Sequence, residues 1–274
     1  MRTKKEIVAV VVLYNPDDQI YQIIKEYETL VNRVILVDNS SKSNKSKFKN
    51  LNFVKYIPLF QNKGIAYALN KGIKESDERY ILTMDQDSHI SKELIESYLF
   101  FLNKKDRKTI GALTCKYNTD RNPEMATSGS KKVKFSMQSG TLFKRSTFQK
   151  IGYFNENLFL DVVDYEFFLR MDHQHLDLIR VNSAVLNHQP AITKDLKLGF
   201  INIKYGIASP VRYYYQARNL LWTAQKFNSG KLYIILLIKV LKIIILFDNK
   251  REYLNAFNQG INDAVHDKLG PYRR

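Results

Sequence analysis

The chain opens with an unbroken apolar run, Ile7-Val8-Ala9-Val10-Val11-Val12-Leu13, in which five of seven residues are β-branched. Runs of this kind suit a parallel strand covered on both faces, where no polar alternation is needed. Val34-Ile35-Leu36-Val37, Phe53-Val54-Lys55-Tyr56-Ile57 and Tyr80-Ile81-Leu82-Thr83-Met84 repeat the pattern. Between them the period changes. Ile20, Ile23, Ile24, Tyr27 and Leu30 or Val31 fall on one side of a helix spanning 20–31, and Ala66, Leu69 and Ile73 mark a second helix over 64–75. The lysine- and serine-rich stretch 41–50 reads as a loop or frayed helix. Strands alternating with helices predict right-handed βαβ units and a mostly parallel sheet.

Further along, Ile110-Gly111-Ala112-Leu113-Thr114 and Ser139-Gly140-Thr141-Leu142-Phe143 read as strands, with a polar loop at 117–132 between them. A short helix and turn follow at 148–154. The segment from Phe159 to Arg170 predicts a helix from about 162 to 173, capped by Asp161 and carrying Asp164 in its first turn. After about residue 200 the character changes. Arg212-Tyr213-Tyr214-Tyr215 is aromatic and basic, and an apolar run at 232–247 is interrupted by Lys239 and Lys242. As a helix that run spans roughly 24 Å at ~1.5 Å per residue, short of a hydrocarbon core of about 30 Å. Two lysines three residues apart predict a helix lying in a membrane interface with its lysines turned up toward the headgroups, or else a buried packing helix.

Composition narrows the class. The 274 residues are 45% hydrophobic and 26% charged, ordinary for a globular chain with an ample core. The change of character near residue 200 divides the chain into a larger α/β domain over 1–200 and a helical region over 201–274. A single cysteine, Cys115, excludes an intramolecular disulfide and fits a reducing compartment. The amino-terminal apolar stretch is short, β-branched and ended by Asn15-Pro16-Asp17-Asp18, so it reads as a core strand rather than a signal peptide. Net charge is +16. Nucleic acid, an anionic membrane face or anionic small molecules could each account for that. The lysine clusters are scattered, and no nucleic-acid motif accompanies them, which leaves no nucleic-acid partner expected.

Candidate chemistry gathers past the strand ends. Tyr14-Asn15, Asp38-Asn39, Asn62 to Gly64 and Asp85-Gln86-Asp87 each follow a strand. Ligands of open α/β sheets bind beyond the carboxyl ends of the strands, so four polar sites on one edge outline a site. Asp85 and Asp87 can share a divalent cation, and oxygen ligands suit Mg²⁺ or Mn²⁺ with a diphosphate. Two acidic residues on a turn can equally be a solvated turn or a helix cap.

These segments together resemble the family 2 glycosyltransferases of the GT-A fold, most closely the bacterial rhamnosyltransferase branch. The resemblance rests on Val11 to Pro16, Val37 to Ser40, Asn62 to Ile73, Met84 to Ser88, Ser139-Gly140, Phe159 to Arg170, Asn187-His188-Gln189 and Arg212 to Asn219, in that order. It implies an α/β GT-A (Rossmann-like) sheet flanked by helices, with a C-terminal helical membrane-associating segment. It implies an inverting, metal-dependent transfer with Asp164 as general base. Tyr14, Asn15, Asp38, Asn62, Gly64 and Asp85 would bind the donor, Asp38 through its pyrimidine. Asp85, Asp87 and His188 would hold Mn²⁺ or Mg²⁺. Where many relatives carry Glu-Asp, this chain has Val163-Asp164, with Glu166 two positions on.

Glu166, Trp222, Arg212 and Arg218 are the candidates for the acceptor and its diphosphate. An aromatic core accounts for Trp222 equally well. The implied donor is dTDP-rhamnose. The implied acceptor is a polyprenyl-diphosphate-linked or cell-surface glycan, met at the cytoplasmic, inner face of a bacterial membrane. The alternatives are a UDP-sugar-dependent galactofuranosyl or hexosyl transferase and, from another class, a non-catalytic sugar-nucleotide or membrane-binding scaffold.

Overall fold

The computed structural model describes residues 2–105, 107–188, 192–198 and 201–272. In chain order its strands and helices are β1 (Ile7–Leu13), α1 (Ile20–Lys25), β2 (Arg33–Asp38), β3 (Val54–Pro58), α2 (Ile65–Lys74), β4 (Tyr80–Asp85) and β5 (Ser88–His89). They continue with α3 (Lys92–Lys105), β6 (Ile110–Asn118), β7 (Ser130–Val133), β8 (Thr141–Lys144), α4 (Arg145–Ile151) and α5 (Val163–His173). The last are β9 (Asp177–His188), β10 (Ile192–Leu198), β11 (Ile201–Ile207), α6 (Pro210–Phe227), α7 (Gly230–Leu246) and α8 (Lys250–Val265).

The main sheet runs β3-β2-β1-β4-β8-β6-β9-β5, with β7 also paired to β9. β1 to β4, β6 and β9 share one direction, while β5, β7 and β8 run against them. The sheet is therefore mixed and mostly parallel. Both of its faces are covered, which is why β1 tolerates no polar residue. Ile7, Ala9, Val11 and Leu13 pack into one core with α1 and α3. Val8, Val10 and Val12 pack into the other with α2, α4 and α5. Alternate side chains of a strand point to opposite faces, so one seven-residue run feeds two cores.

Several elements depart from the sequence pattern. The helix expected over 20–31 stops at Lys25, and the chain tightens into successive turns in which Tyr27 N–H donates to Ile24 O and Leu30 N–H to Tyr27 O. These turns bury Tyr27 completely and bring Asn32 N–H onto Ile7 O, where β2 begins. The polar stretch 117–132 is not all loop, because Ser130–Val133 adds to β9 as an exposed antiparallel edge. Asp161 does not cap α5. Its own φ is 58°, and the cap position falls to Val162, with φ 65° and no side-chain cap bond.

Helix α7 is turned over relative to expectation. Lys239 and Lys242 face inward, toward the protein. Tyr233, Ile234, Leu237, Ile238, Leu241, Ile244 and Ile245 are the exposed face. The i, i+3 spacing put the lysines on one side, but which side met water depended on the helices they pack against. The buried-helix alternative does not describe α7 either, since only Leu232 and Ile243 are buried. Among the described residues, no helix is long and apolar enough to cross a membrane.

Candidate active site

The ends of β1 to β4 carry sequence-predicted residues, of which Asp85 and Asp87 line the cleft described below, while Tyr14, Asn15, Asp38, Asn62 and Gly64 are not among its wall residues. At the end of β2, Asp38 is buried and accepts hydrogen bonds from Ser40 N–H, Asn44 N–H, Asn44 Nδ2 and the Tyr56 hydroxyl. Burial alone would push its pKa up, but these donors outweigh it and hold the carboxyl below its usual range. Its neighbour Asn39 donates to Asn62 Oδ1 at 3.0 Å and accepts from Lys63 N–H at 2.8 Å. Asn15, in a left-handed turn after β1, donates its N–H to Ser40 Oγ at 2.7 Å. Tyr14 is half exposed, and its backbone is gripped at both N–H and C=O by Gln86. The middle residue of Asp85-Gln86-Asp87 thus fixes the loop after β1.

Gly64 has φ 86° and ψ 160°, a region essentially reserved for glycine. The close approach it permits is to protein. A Cβ there would lie 2.6 Å from the carbonyl oxygen of Phe159, which also accepts the N–H of Ile65. Glycine is needed at 64 to seat the 157–162 loop, a constraint that its place beside a nucleotide-binding segment did not reveal.

Asp85, Asp87 and His188 offer ligand atoms that all lie within 4.8 Å of one another. The histidine arrives from 100 residues away through sheet register, because β5 pairs antiparallel with the end of β9 and sets Ser88 opposite His188. Gln189, part of the same motif, lies outside the described residues. Ser88 Oγ is 3.0 Å from His188 Nδ1 and 2.9 Å from Ser139 Oγ. A hydroxyl on one ring nitrogen is a common means of aiming the other at a metal. Burial, opposed in part by Asp87 and reinforced by Arg121, pushes the His188 pKa down, toward the neutral form that ligates. The Asp85 carboxylate accepts from Gln138 Nε2 at 2.6 Å, and its backbone N–H donates to Ser139 Oγ at 3.0 Å. Burial, then repulsion from Asp87, drive the Asp85 pKa up to about 7. Two carboxylates that repel each other beside an imidazole fit a divalent cation of the Mn²⁺ or Mg²⁺ kind.

Asp164 stands in the first turn of α5 and lines the same cleft, of about 580 Å³, as Asp85, Asp87 and His188. Burial, with the charges of Asp161 and Asp85 adding to it, raises its pKa to about 7, against the hydrogen bonds from the Tyr165 and Gln138 backbone. The loop that presents it is strained. Phe159, Asp161 and Val162 all have positive φ, and Val162 is β-branched. Such geometry persists only where the surroundings over-determine it. Here Asn219 donates its amide to the carbonyls of Leu158, Leu160 and Asp161. Arg212 clamps the Asp161 carboxylate at 2.7 and 3.1 Å, and Gly270 N–H donates to Asn157 O.

Three sequence candidates stand elsewhere. Arg218 is fully buried, with its guanidinium bonded to the carbonyls of Gly270 and Leu158, the Tyr214 hydroxyl and Asn219. It braces the 157–162 loop and has no open face for a phosphate. Glu166 is buried between Arg170 and Lys226, each about 3 Å away, on the side of α5 that packs against α6. Trp222 donates to Asp267 at 2.7 Å and lies outside the cleft wall. Arg212 remains in the cleft. The sequence reading missed Arg121, Gln138, Gln216, Lys239 and Lys242, which also line it. Gln138 and Gln216 each bury a carbonyl oxygen with no hydrogen-bond partner among the described residues, acceptors suited to sugar hydroxyls. Gln216 lay inside the recognised segment Arg212 to Asn219 and Gln138 beside Ser139-Gly140, whereas Arg121, Lys239 and Lys242 lay in no recognised motif.

An open α/β sheet whose strand ends carry a carboxylate–imidazole cluster able to hold a metal, with a further carboxylate in the same cleft, is an architecture that places a ligand beyond the carboxyl ends of the strands. Residues 8–175 match the family described as Glycosyl transferase family 2, and the chain belongs to that family. Over 289 aligned residues it is 31% identical to the dTDP-rhamnosyl transferase RfbF of Shigella flexneri, covering 96% of this chain and 97% of that one. Among solved structures it resembles the mannosyltransferase PcManGT from Pyrobaculum calidifontis in complex with GDP-Man and Mn²⁺ (TM-score 0.62, 14% identity, 96% of this chain and 88% of that one). It also resembles S. aureus TarS 1-349 in complex with UDP-GlcNAc (TM-score 0.59, 15% identity, 96% and 83%). These likenesses establish the GT-A fold.

Proposed function

We propose that this glycosyltransferase moves L-rhamnose from dTDP-rhamnose onto a lipid-linked or cell-surface glycan acceptor, with inversion at the anomeric carbon. Residues 1–200 would supply donor and catalytic groups, and 201–274 the acceptor and membrane side. The observation that carries the reading is Asp164, a carboxylate held near neutral pKa in the same cleft as Asp85, Asp87 and His188. The rhamnosyl donor rests on the likeness to RfbF along nearly the whole chain.

In this reading Asp38 and its loop receive the pyrimidine, and Asn15, Asn62 and the Tyr14 segment border the nucleotide. Asp85, Asp87 and His188 hold Mn²⁺ or Mg²⁺, which when bound neutralises the departing nucleoside diphosphate. Asp164 accepts the acceptor hydroxyl proton as that oxygen attacks the anomeric carbon from the opposite face. The bond from that carbon to the diphosphate oxygen breaks. A base with a pKa near the working pH is well matched to this task.

The test is donor binding and hydrolysis with dTDP-rhamnose, UDP-glucose, UDP-galactose and UDP-galactofuranose, each with Mn²⁺, Mg²⁺ or chelator. Metal-dependent preference for dTDP-rhamnose is expected. Preference for a UDP-sugar would sink the rhamnosyl assignment in favour of a galactofuranosyl or hexosyl transferase. That second reading draws on the UDP-GlcNAc complex of TarS and on the pyrimidine shared by both nucleotides.

The exposed apolar face of α7 meets the membrane in this scheme, with the net charge of +16 drawing the chain to anionic lipid. The protein should float with phosphatidylglycerol vesicles, and Leu237→Asp with Leu241→Asp should leave it in the bottom fraction. A wild-type chain that stays down with or without anionic lipid would rule this out.

A further inference from the structure

Lys239 and Lys242 are polar residues on the inner side of a helix whose outer side is isoleucine and leucine. That arrangement is the reverse of what solvation favours. An ammonium withdrawn from water is costly unless a counter-charge compensates it. Among the described residues, no carboxylate lies within ion-pair distance of either lysine. Asp161, the carboxylate that acts on Lys239, is already held by Arg212 at 2.7 Å. Burial pushes the pKa of Lys239 down and that of Lys242 down to about 8. Lys242 is tethered by donating to the carbonyl of Gly206, where the Arg121 guanidinium also packs.

Asp85 and Asp87 act on Arg212, Arg212 and Asp161 act on Lys239, and Lys239 and Arg121 act on Lys242. Both lysines lie on α7, in a part of the cleft also walled by α6, and Arg121, which acts on Lys242, acts on His188 as well.

We propose that Lys239 and Lys242, with Arg121, form an anion subsite for a phosphate or diphosphate group carried by the acceptor. The proposal rests on the reading of this cleft as a glycosyl-transfer site, since it assigns a part of the same cleft. A helix with lysines inward and an apolar face outward suits a phosphate that arrives on a lipid, its chain following the outer face. A soluble phosphosugar offers the same anion without the chain.

The measurement is calorimetric titration of inorganic pyrophosphate into the whole protein with EDTA present, so that no metal can hold a diphosphate at Asp85 and Asp87. Wild type should bind, and the Lys239→Gln/Lys242→Gln variant should bind at least tenfold more weakly. Equal binding by both, or no binding by wild type, overturns the proposal. With Mn²⁺ and no chelator, dTDP affinity of the variant should stay within twofold of wild type, which also certifies its fold. A parallel loss of dTDP affinity would assign the lysines to the donor and overturn the acceptor subsite. Farnesyl diphosphate in place of pyrophosphate separates the sources. Binding at least tenfold tighter assigns a lipid-borne group, and equal binding a soluble one. If wild type fails to bind dTDP while lysine-dependent pyrophosphate binding persists, the donor reading falls and the anion subsite stands.

Discussion

Replacing Asp164 with asparagine is expected to lower turnover by about 10²–10⁴-fold, the usual contribution of a positioned base, while donor affinity changes little. Asparagine keeps the shape and can still accept the Tyr165 N–H, so the loop should hold. It cannot take a proton. Initial rates with saturating donor decide the matter, and a variant within threefold of wild type would remove Asp164 from the chemistry. The pKa near 7 adds a signature. Wild-type turnover should fall about tenfold per pH unit below that value, as the base becomes protonated.

Stability should move the other way. A carboxyl whose folded pKa is raised from 3.8 to about 7 contributes stability that is full below 3.8 and lost as pH rises through about 7. The asparagine variant escapes that loss. Its Tm should equal or exceed that of wild type at pH 8, with the gap narrowing toward pH 5.

Substituting Asp87 with alanine should remove metal binding and metal-dependent donor binding together, by about 10²-fold or more. Its carboxylate is half exposed, and it lies 3.7 Å from His188 Nδ1. The substitution therefore disturbs little packing, and circular dichroism and Tm should stay near wild type. Asp85→Ala is the less clean variant, because it also releases Gln138 and uncovers a buried site. Titrating Mn²⁺ and then dTDP into Asp87→Ala reads both losses. Donor affinity that still responds to Mn²⁺ as in wild type would place the cation elsewhere.

The sequence exposed the parts of this molecule that depend on local pattern. Parallel strands buried on both faces must be continuous apolar runs, so β1, β2 and β4 were visible, and Asp85 and Asp87 after β4 marked the cleft. Pairing across the chain left no such trace. Glu166 looked available because nothing near it in sequence announces Lys226, 60 positions on. Arg218 looked available because its partners are backbone carbonyls, which every sequence contains. The phase of α7 gave two faces without saying which faced inward. That depends on Lys242 reaching Gly206 and on the packing of α7 against α6, neither of which a helical wheel contains. The strain at Val162 was hidden for a related reason. Its left-handed φ runs against its β-branched type, and contacts distant in sequence, among them the amide of Asn219 and the clamp of Arg212, make it tenable.

That last arrangement also orders events in time. The donor half is built from neighbours in sequence, β1 with β2 and β2 with β3, and can assemble as it leaves the ribosome. The catalytic loop cannot. Its carbonyls wait for Asn219, and Asn157 waits for Gly270, more than a hundred residues later. In the proposed reading, a nascent chain would therefore form the β1–β3 edge well before Asp164 is fixed in place. Competence to bind a sugar donor and competence to spend it are separated by the synthesis of the last three helices.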